Sequence, residues 1–385
     1  MTFLKSALLS ITLISLGVCA EKESTVIIIS MDGVRYDIAE ENDLEAFKRM
    51  DKNGVRAEYL RPVYQSTTYP AHVTLATGVY PDKHGIIHNS FFDKVKGDFS
   101  YDADANWLDI APIWVLAEQQ DIRSAVFFWV GSETDWNGVG ASYRKAPFDA
   151  SIKEEIKIRQ ILDWLDMDDE KRPRLIMSYW DGTDDLAHQQ GPSSIDIDNQ
   201  MMRQNKLLNS LLSEIDERNA WDYVTIFVVS DHGMTAVNNY IDLRSLLQKS
   251  SIKAKLSEGP AVAHLFVEDQ DINEALSFFN NQEHIKAYKK KDLPHSFHMN
   301  HPTRTGDIVL ITQAPNMFSS FGKPKGMHGY SPEMSDMHAI FYGMGAGVKP
   351  QELGPINQVD VMPTVAKILG IKIEQSIDGK VLDLN

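Results

Sequence analysis

The chain has 385 residues, 43% of them hydrophobic and 24% charged, an ordinary globular composition with room for a large core. Its formal net charge of -16 disfavours nonspecific nucleic-acid binding and repels polyanions, so an anionic ligand needs a local positive charge, such as a metal. The one cysteine is Cys19, which excludes disulfides, cysteine nucleophiles and cysteine metal ligands from the chain beyond it.

Residues 1–20 have the form of an export signal: Lys5, the apolar stretch from Ala7 to Val18, and the small-residue site Val18-Cys19-Ala20. The stretch is shorter than the roughly 20 residues that span a bilayer, so cleavage is expected in preference to anchoring. Leu16-Gly17-Val18-Cys19 also resembles a lipoprotein processing site, in which Val18 is a poor fit. Cleavage removes Lys5 alone among the charges, moving the net charge from -16 to -17. Export without disulfides suits a bacterial periplasm. There is no second transmembrane candidate and no internal repeat. Nothing in the composition speaks to the oligomeric state.

Four short apolar runs read as buried strands: Thr25 to Ser30, Ser124 to Val130, Leu175 to Tyr179 and Val224 to Ser230. Helical spacing covers Ile152 to Leu165, with Ile152, Ile156, Ile158, Ile161, Leu162 and Leu165 inward, and Met201 to Ile215. Strands alternating with helices predict an α/β fold with a doubly wound central sheet flanked by helices. From about residue 238 to 327 the pattern weakens into a small inserted lobe. It holds strand-like runs at Ala261 to Val267 and Gly306 to Ile311, a short helix near Ile272 to Asn280, and the basic run Lys286 to Lys291, whose Lys289-Lys290-Lys291 reads as a solvated face. The remainder, 21–385, reads as one domain ending on a helix from Val359 to Leu369.

In such sheets ligands bind beyond the carboxyl ends of the strands, and polar residues collect there. Asp32 follows the first run, Asp181 and Asp184 the third, and Asp231-His232 the fourth. Asp184 and His188 are one helical turn apart and can reach a single ion. Asp231 and His232 are adjacent, so joint ligation needs a turn, which Gly233 permits. A carboxylate before glycine is ordinarily a turn or cap. Four such elements together, His328-Gly329 being the fourth, are harder to explain that way. Asp184, His188 and His328 would give one ion three ligands; Asp32, Asp231 and His232 would give a second ion three more. Nitrogen and oxygen donors without sulfur fit two zinc ions, with manganese or iron as alternatives.

The run Gln65-Ser66-Thr67-Thr68-Tyr69-Pro70-Ala71-His72, followed by Thr77-Gly78-Val79-Tyr80-Pro81-Asp82-Lys83-His84-Gly85-Ile86, closely resembles the nucleotide pyrophosphatase/phosphodiesterase family of the alkaline phosphatase superfamily. Met31 to Arg35, Phe128 to Glu133, Val229 to Met234, Thr305 to Leu310, His328 to Tyr330 and Met337 to Phe341 extend the likeness along nearly the whole chain in the family's order. The resemblance implies an alkaline phosphatase-like fold and a phosphodiester or pyrophosphate hydrolase acting on a small nucleotide or other phosphodiester. Thr68 would be the nucleophile, bound to the ion of Asp32, Asp231 and His232, with Thr67 its rival. Asn89 and the Thr68 backbone N–H would hold a non-bridging phosphate oxygen. Tyr69 and Tyr179 align with aromatic positions that can flank a nucleotide base. Val130, Ala71 and Thr183 depart from the family's usual residues, which leaves the pocket's shape open.

Three alternatives stand beside this reading. A phosphomonoesterase would use the same cage, usually with a third cation or a guanidinium. A catalytically silent binding protein would lack a ligand or the nucleophile. His295, His298 and His301 could hold a third metal, although their irregular spacing around two prolines reads better as a loop with surface imidazoles. A sulfatase motif and a His-Glu-x-x-His motif are both absent.

Overall fold

The computed structural model describes residues 22–319 and 322–385. The expected export segment, Cys19 included, lies outside the described residues. Among those described, no helix is long and apolar enough to cross a membrane.

Eight strands form the central sheet: β1 (Thr25–Met31), β2 (Val55–Ala57), β3 (Ser124–Phe127), β4 (Tyr143–Lys145), β5 (Leu175–Trp180), β6 (Val224–Val229), β7 (Phe341–Gly345) and β8 (Gln351–Leu353). Their order across the sheet is β8-β2-β7-β6-β1-β5-β3-β4. β4, β3, β5, β1 and β6 run parallel, as the strand–helix alternation predicts. β7 lies antiparallel between β6 and β2, so the sheet is mixed.

The alternation of side chains along β1 explains why its run is apolar throughout. Ile27, Ile29 and Met31 enter the core on one face of the sheet, and Val26 and Ile28 the core on the other. The first face is covered by helices α1 (Glu45–Asn53), α2 (Glu154–Leu165) and α3 (Ile195–Glu217), which contribute Phe47, Ile161 and Leu211. The second is covered in part by α4 (Val361–Leu369) through Met362 and Val365.

Two details depart from the sequence reading. The run expected as a strand to Val130 ends at Phe127, because Phe128 adopts φ +65° and leaves the ladder. In α2, Ile156 faces outward at 44% exposure while Lys157 is buried at 1%, so this helix presents a lysine where apolar spacing alone would place an isoleucine.

Between β6 and β7 the chain builds a second, four-stranded antiparallel sheet from Ala254–Glu258, Val262–Val267, Lys286–Lys289 and Ile308–Ile311. The helix Ile272–Asn280 packs Ala275 and Phe279 against its Leu265 and Leu310. Lys290, expected to be solvated, donates through Nζ to the carbonyls of His301 and Pro302, 2.7 Å each.

Candidate metal centre and its pocket

β1 lies between β5 and β6, with Ser30 in register with both Tyr179 and Val229. The three strand ends therefore open side by side, and the residues after them meet. Asp32 follows β1; Asp231 and His232 follow β6. Asp184 opens the helix Asp184–Gln190 four residues beyond the end of β5. The approach is too close for any side chain at Gly182: a Cβ there would fall 1.8 Å from the Asp32 carbonyl oxygen. Gly233 allows the turn after His232 for the same reason, since its Cβ would fall 2.1 Å from the Asp336 carbonyl.

Three imidazoles are fixed by one device. The Nδ1–H of His188 donates to the Gly326 carbonyl, that of His232 to Gly233 and that of His328 to Ser66, each at 2.9 Å. A carbonyl can only accept, so Nδ1 of each ring carries the proton and Nε2 is the atom turned to the centre; in the neutral ring it offers a lone pair there, the arrangement typical of metal-bound histidine.

Ligand atoms of Asp32, Asp231 and His232 lie within 4.8 Å of one another, and so do those of Asp184, His232 and His328. His232 thus belongs to both groups, where the sequence assigned it to one. His188 joins through Asp184, its Nε2 3.3 Å from Oδ2. Oδ1 of Asp32, Oδ1 of Asp184 and Oδ2 of Asp231 are buried without a hydrogen-bond partner. Burying carboxylate oxygens unpaired is costly, and three together call for a cation. Hard carboxylate oxygens beside imidazole nitrogens form a donor set that fits zinc, manganese or iron.

The electrostatics agree. Burial, then the neighbouring Asp231 and Asp184, pushes Asp32 well above the usual carboxylate range, and burial pushes Asp231 up as well. Burial also acts upward on Asp184, but His188 outweighs it and holds that carboxyl low. Burial acts downward on His188, and Asp184 outweighs it to raise the imidazole to about 9. Burial lowers His232 to about 4 and His328 well below its ordinary value, which keeps both neutral and able to ligate.

Thr68 is the first residue of the helix Thr68–Thr77, with Thr67 as its N-cap. Its Oγ1 is 3.4 Å from His232 Nε2, inside the centre. Thr67 is buried against Gly329, its methyl 3.1 Å from where a glycine Cβ would stand. Of the two threonines, Thr68 is the one whose hydroxyl stands beside His232. Asn89 accepts the Tyr69 N–H through Oδ1 at 2.8 Å, which orients the amide beside the start of this helix.

A cavity of about 510 Å³ opens above the centre. Asp32, Thr68, Tyr69, Asn89, Tyr179, Asp184, His188 and His328 all reach it, and among the described residues neither lysine nor arginine does. Tyr179 borders the cavity with its ring, and its hydroxyl donates to Asp32 Oδ2 at 2.7 Å. The sequence reading missed Tyr101, Phe128, Glu133 and Phe148 on the walls. It also gave no role to His72, buried with Nδ1 donating to the Thr68 carbonyl at 2.8 Å and standing 3.5 Å from Asp231 Oδ2. His72 lay in the quoted threonine motif, so the signal was present. Among the described residues the third-metal alternative finds no such cage. His301 is buried and bonded to Asp109 at 2.8 Å, and His298 stacks on Tyr80 with ring centroids 3.7 Å apart.

The sequence model of the type I phosphodiesterase/nucleotide pyrophosphatase family matches residues 26–331. The chain belongs to that family. It is 30% identical over 377 residues to an uncharacterized pyrophosphatase/phosphodiesterase of Schizosaccharomyces pombe, covering 91% of this chain and 77% of that protein. It is 29% identical over 372 residues to a venom phosphodiesterase of Crotalus durissus collilineatus, covering 91% of this chain and 45% of that one. The chain thus spans less than half of the venom enzyme. Human ectonucleotide pyrophosphatase/phosphodiesterase 5 superposes with a TM-score of 0.85 at 26% identity, covering 92% of this chain and 97% of that one. The murine counterpart, an inactive threonine-to-alanine form in complex with AMP, superposes at 0.84, also at 26% identity, covering 91% and 96%. The fold is that of the alkaline phosphatase superfamily.

Proposed function

We propose that this protein is a two-zinc hydrolase of phosphodiester or pyrophosphate bonds, acting through a phosphothreonine at Thr68. The observation that carries the reading is the convergence of unpaired carboxylate oxygens and bare imidazole nitrogens around the Thr68 hydroxyl. Family membership supports it, as does the murine relative, inactive once a threonine is replaced and able to hold AMP.

Asp32, Asp231 and His232 would hold one cation, and Asp184, His188 and His328 the other. Two divalent cations there would favour the threonine alkoxide and stabilise charge on the phosphate and the leaving oxygen. Thr68 Oγ1 forms a bond to phosphorus as the bond to the leaving oxygen breaks and its electron pair departs with that oxygen. Water then cleaves the phosphothreonine and returns the hydroxyl. The Asn89 amide, oriented by the Tyr69 N–H, and the helix start at Thr68 would hold a non-bridging oxygen. Tyr69 and its neighbours shelter the organic group. A cavity without lysine or arginine supplies no further counter-charge for a doubly charged monoester, which favours diesters. Residues 238–327 would form a lobe inserted into this domain, and residues 1–20 would direct export.

Turnover of bis(p-nitrophenyl) phosphate and of p-nitrophenyl phosphate, with and without chelator, tests the reading. Diester preference abolished by chelator is expected. Monoester preference or chelator-insensitive turnover overturns it.

A further inference from the structure

We propose that Lys157 is a positioning residue for the aromatic wall of the cavity, and through that wall helps select substrates carrying an aromatic group; this rests on the diesterase reading above. Lys157 is buried at 1% exposure, and its Nζ sits 3.3 Å from Asp181 Oδ1. The same ammonium stands 5.6 Å from the ring centroid of Tyr179 and 5.7 Å from that of Phe128. Both rings line the cavity; Lys157 does not. It acts from behind the wall.

The wall is built ring against ring. Phe128 meets Phe148 edge-on at 5.3 Å, and Phe148 meets Tyr179 edge-on at 5.8 Å. Phe148 is 46% exposed, and Phe128 holds φ +65°, a conformation that bulky residues adopt only where their surroundings enforce it. Neither feature belongs to a self-supporting core. An ammonium facing two rings draws both toward one point, because each offers its negative face to the cation. A buried ammonium is costly to keep, and an apolar side chain of similar length would fill the space more cheaply if packing alone were needed. The charge itself is therefore the useful part. A cation behind Tyr179 and Phe128 also opposes a second cation in front of them, which biases the wall toward neutral aromatic groups and away from organic cations.

The test compares wild type, Lys157→Met and Lys157→Arg on the p-nitrophenyl ester of thymidine 5′-phosphate and on methyl p-nitrophenyl phosphate, which keeps the same leaving group but has a methyl where the thymidine would reach the wall. Lys157→Met is expected to raise KM for the thymidine ester about tenfold, the scale of a desolvated cation–π contact, with kcat within about twofold. KM for the methyl ester stays unchanged, and Lys157→Arg restores the wild-type value. Calorimetric binding of AMP reads the wall without turnover, so an enzyme inert toward both diesters overturns the activity while the binding titration still decides the role of Lys157. Asp181→Asn, at a more exposed position, is the second variant should Lys157→Met not fold. It is expected to weaken the same ligands about threefold by releasing the ammonium. Unchanged KM and AMP affinity in folded variants, or equal losses on both esters, overturn the proposal.

Discussion

The rings of His232 and His328 lie face to face, their centroids 3.7 Å apart and their planes within 11°, although one follows β6 and the other follows the short strand Gly326–Met327. Each is locked by a carbonyl at Nδ1, so the two Nε2 atoms point the same way. Among the described residues only His232 lies within reach of both carboxylate groups. Its one Nε2 lone pair serves one cation, the one assigned to Asp32 and Asp231, so His232→Ala should lower metal affinity at that site at least about 100-fold and His328→Ala at the other, each variant keeping one cation. Elemental analysis after dialysis against graded chelator checks this. Loss of both cations in either single variant would show that the two sites do not fill independently.

Asn89 joins the pocket to the backbone of Tyr69, the residue after the proposed nucleophile. Asn89→Ala should lower kcat on bis(p-nitrophenyl) phosphate about 100-fold, as removal of one oxyanion donor does elsewhere. Asn89→Asp still accepts the Tyr69 N–H but turns a donor into a negative charge facing the phosphate, so its loss should be greater. A smaller loss for the aspartate would place the amide away from the phosphate.

Tyr179 bonds Asp32 through its hydroxyl and borders the cavity with its ring, and these roles separate in Tyr179→Phe. The ring remains, so KM for the thymidine ester should hold. Asp32, whose Oδ1 is already unpaired, would lose the partner of Oδ2 as well. Orienting partners of metal ligands are worth about 10-fold in metal affinity or more, so chelator should strip the variant at about a tenth of the wild-type concentration. A changed KM with unchanged chelator sensitivity would reverse the assignment.

How legible each part was in the sequence follows from what kind of signal it leaves. β1, β5 and β6 are buried on both faces, so each is a largely apolar run broken only by a serine or threonine, and the charged residues and histidine come after them. That is why Asp32, Asp184, Asp231 and His232 could be grouped before their distances were known. β7 left a weaker trace: Phe341–Gly345 is short, contains two glycines and runs antiparallel, which alternation of strands and helices does not report. Lys157 contradicts hydrophobic periodicity outright, because its burial depends on Asp181, Phe128 and Tyr179, none of which is near it in sequence. The nearness of His232 to Asp184 as well as to Asp32 and Asp231 is equally silent, since spacing identifies ligands but not which ion each one faces.

Arg304 offers a test of how the second sheet is held to the rest, and its pH dependence has a definite sign. The guanidinium is 1% exposed, donating to Asp93 Oδ2 at 2.8 Å, to Asp109 Oδ1 at 3.0 Å and to the Trp107 carbonyl at 2.9 Å. Burial pushes Asp93 up, but Arg304 and the amides of Val95 and Lys96 outweigh it and hold the carboxyl at about 2. An unfolded aspartate titrates near 4, roughly. A folded value below the unfolded one contributes stability that is present above about pH 4 and lost as pH falls through about 2. Arg304→Met leaves Asp93 buried beside no guanidinium, which should cost about 3 kcal/mol at pH 7. The variant also loses the pairing that lowers Asp93, so its deficit should be widest at neutral pH and shrink as the pH is brought down toward 2. Urea unfolding at pH 7, 4 and 3 measures both effects. A deficit of constant size across that range would mean that Arg304 acts through packing and not through its charge.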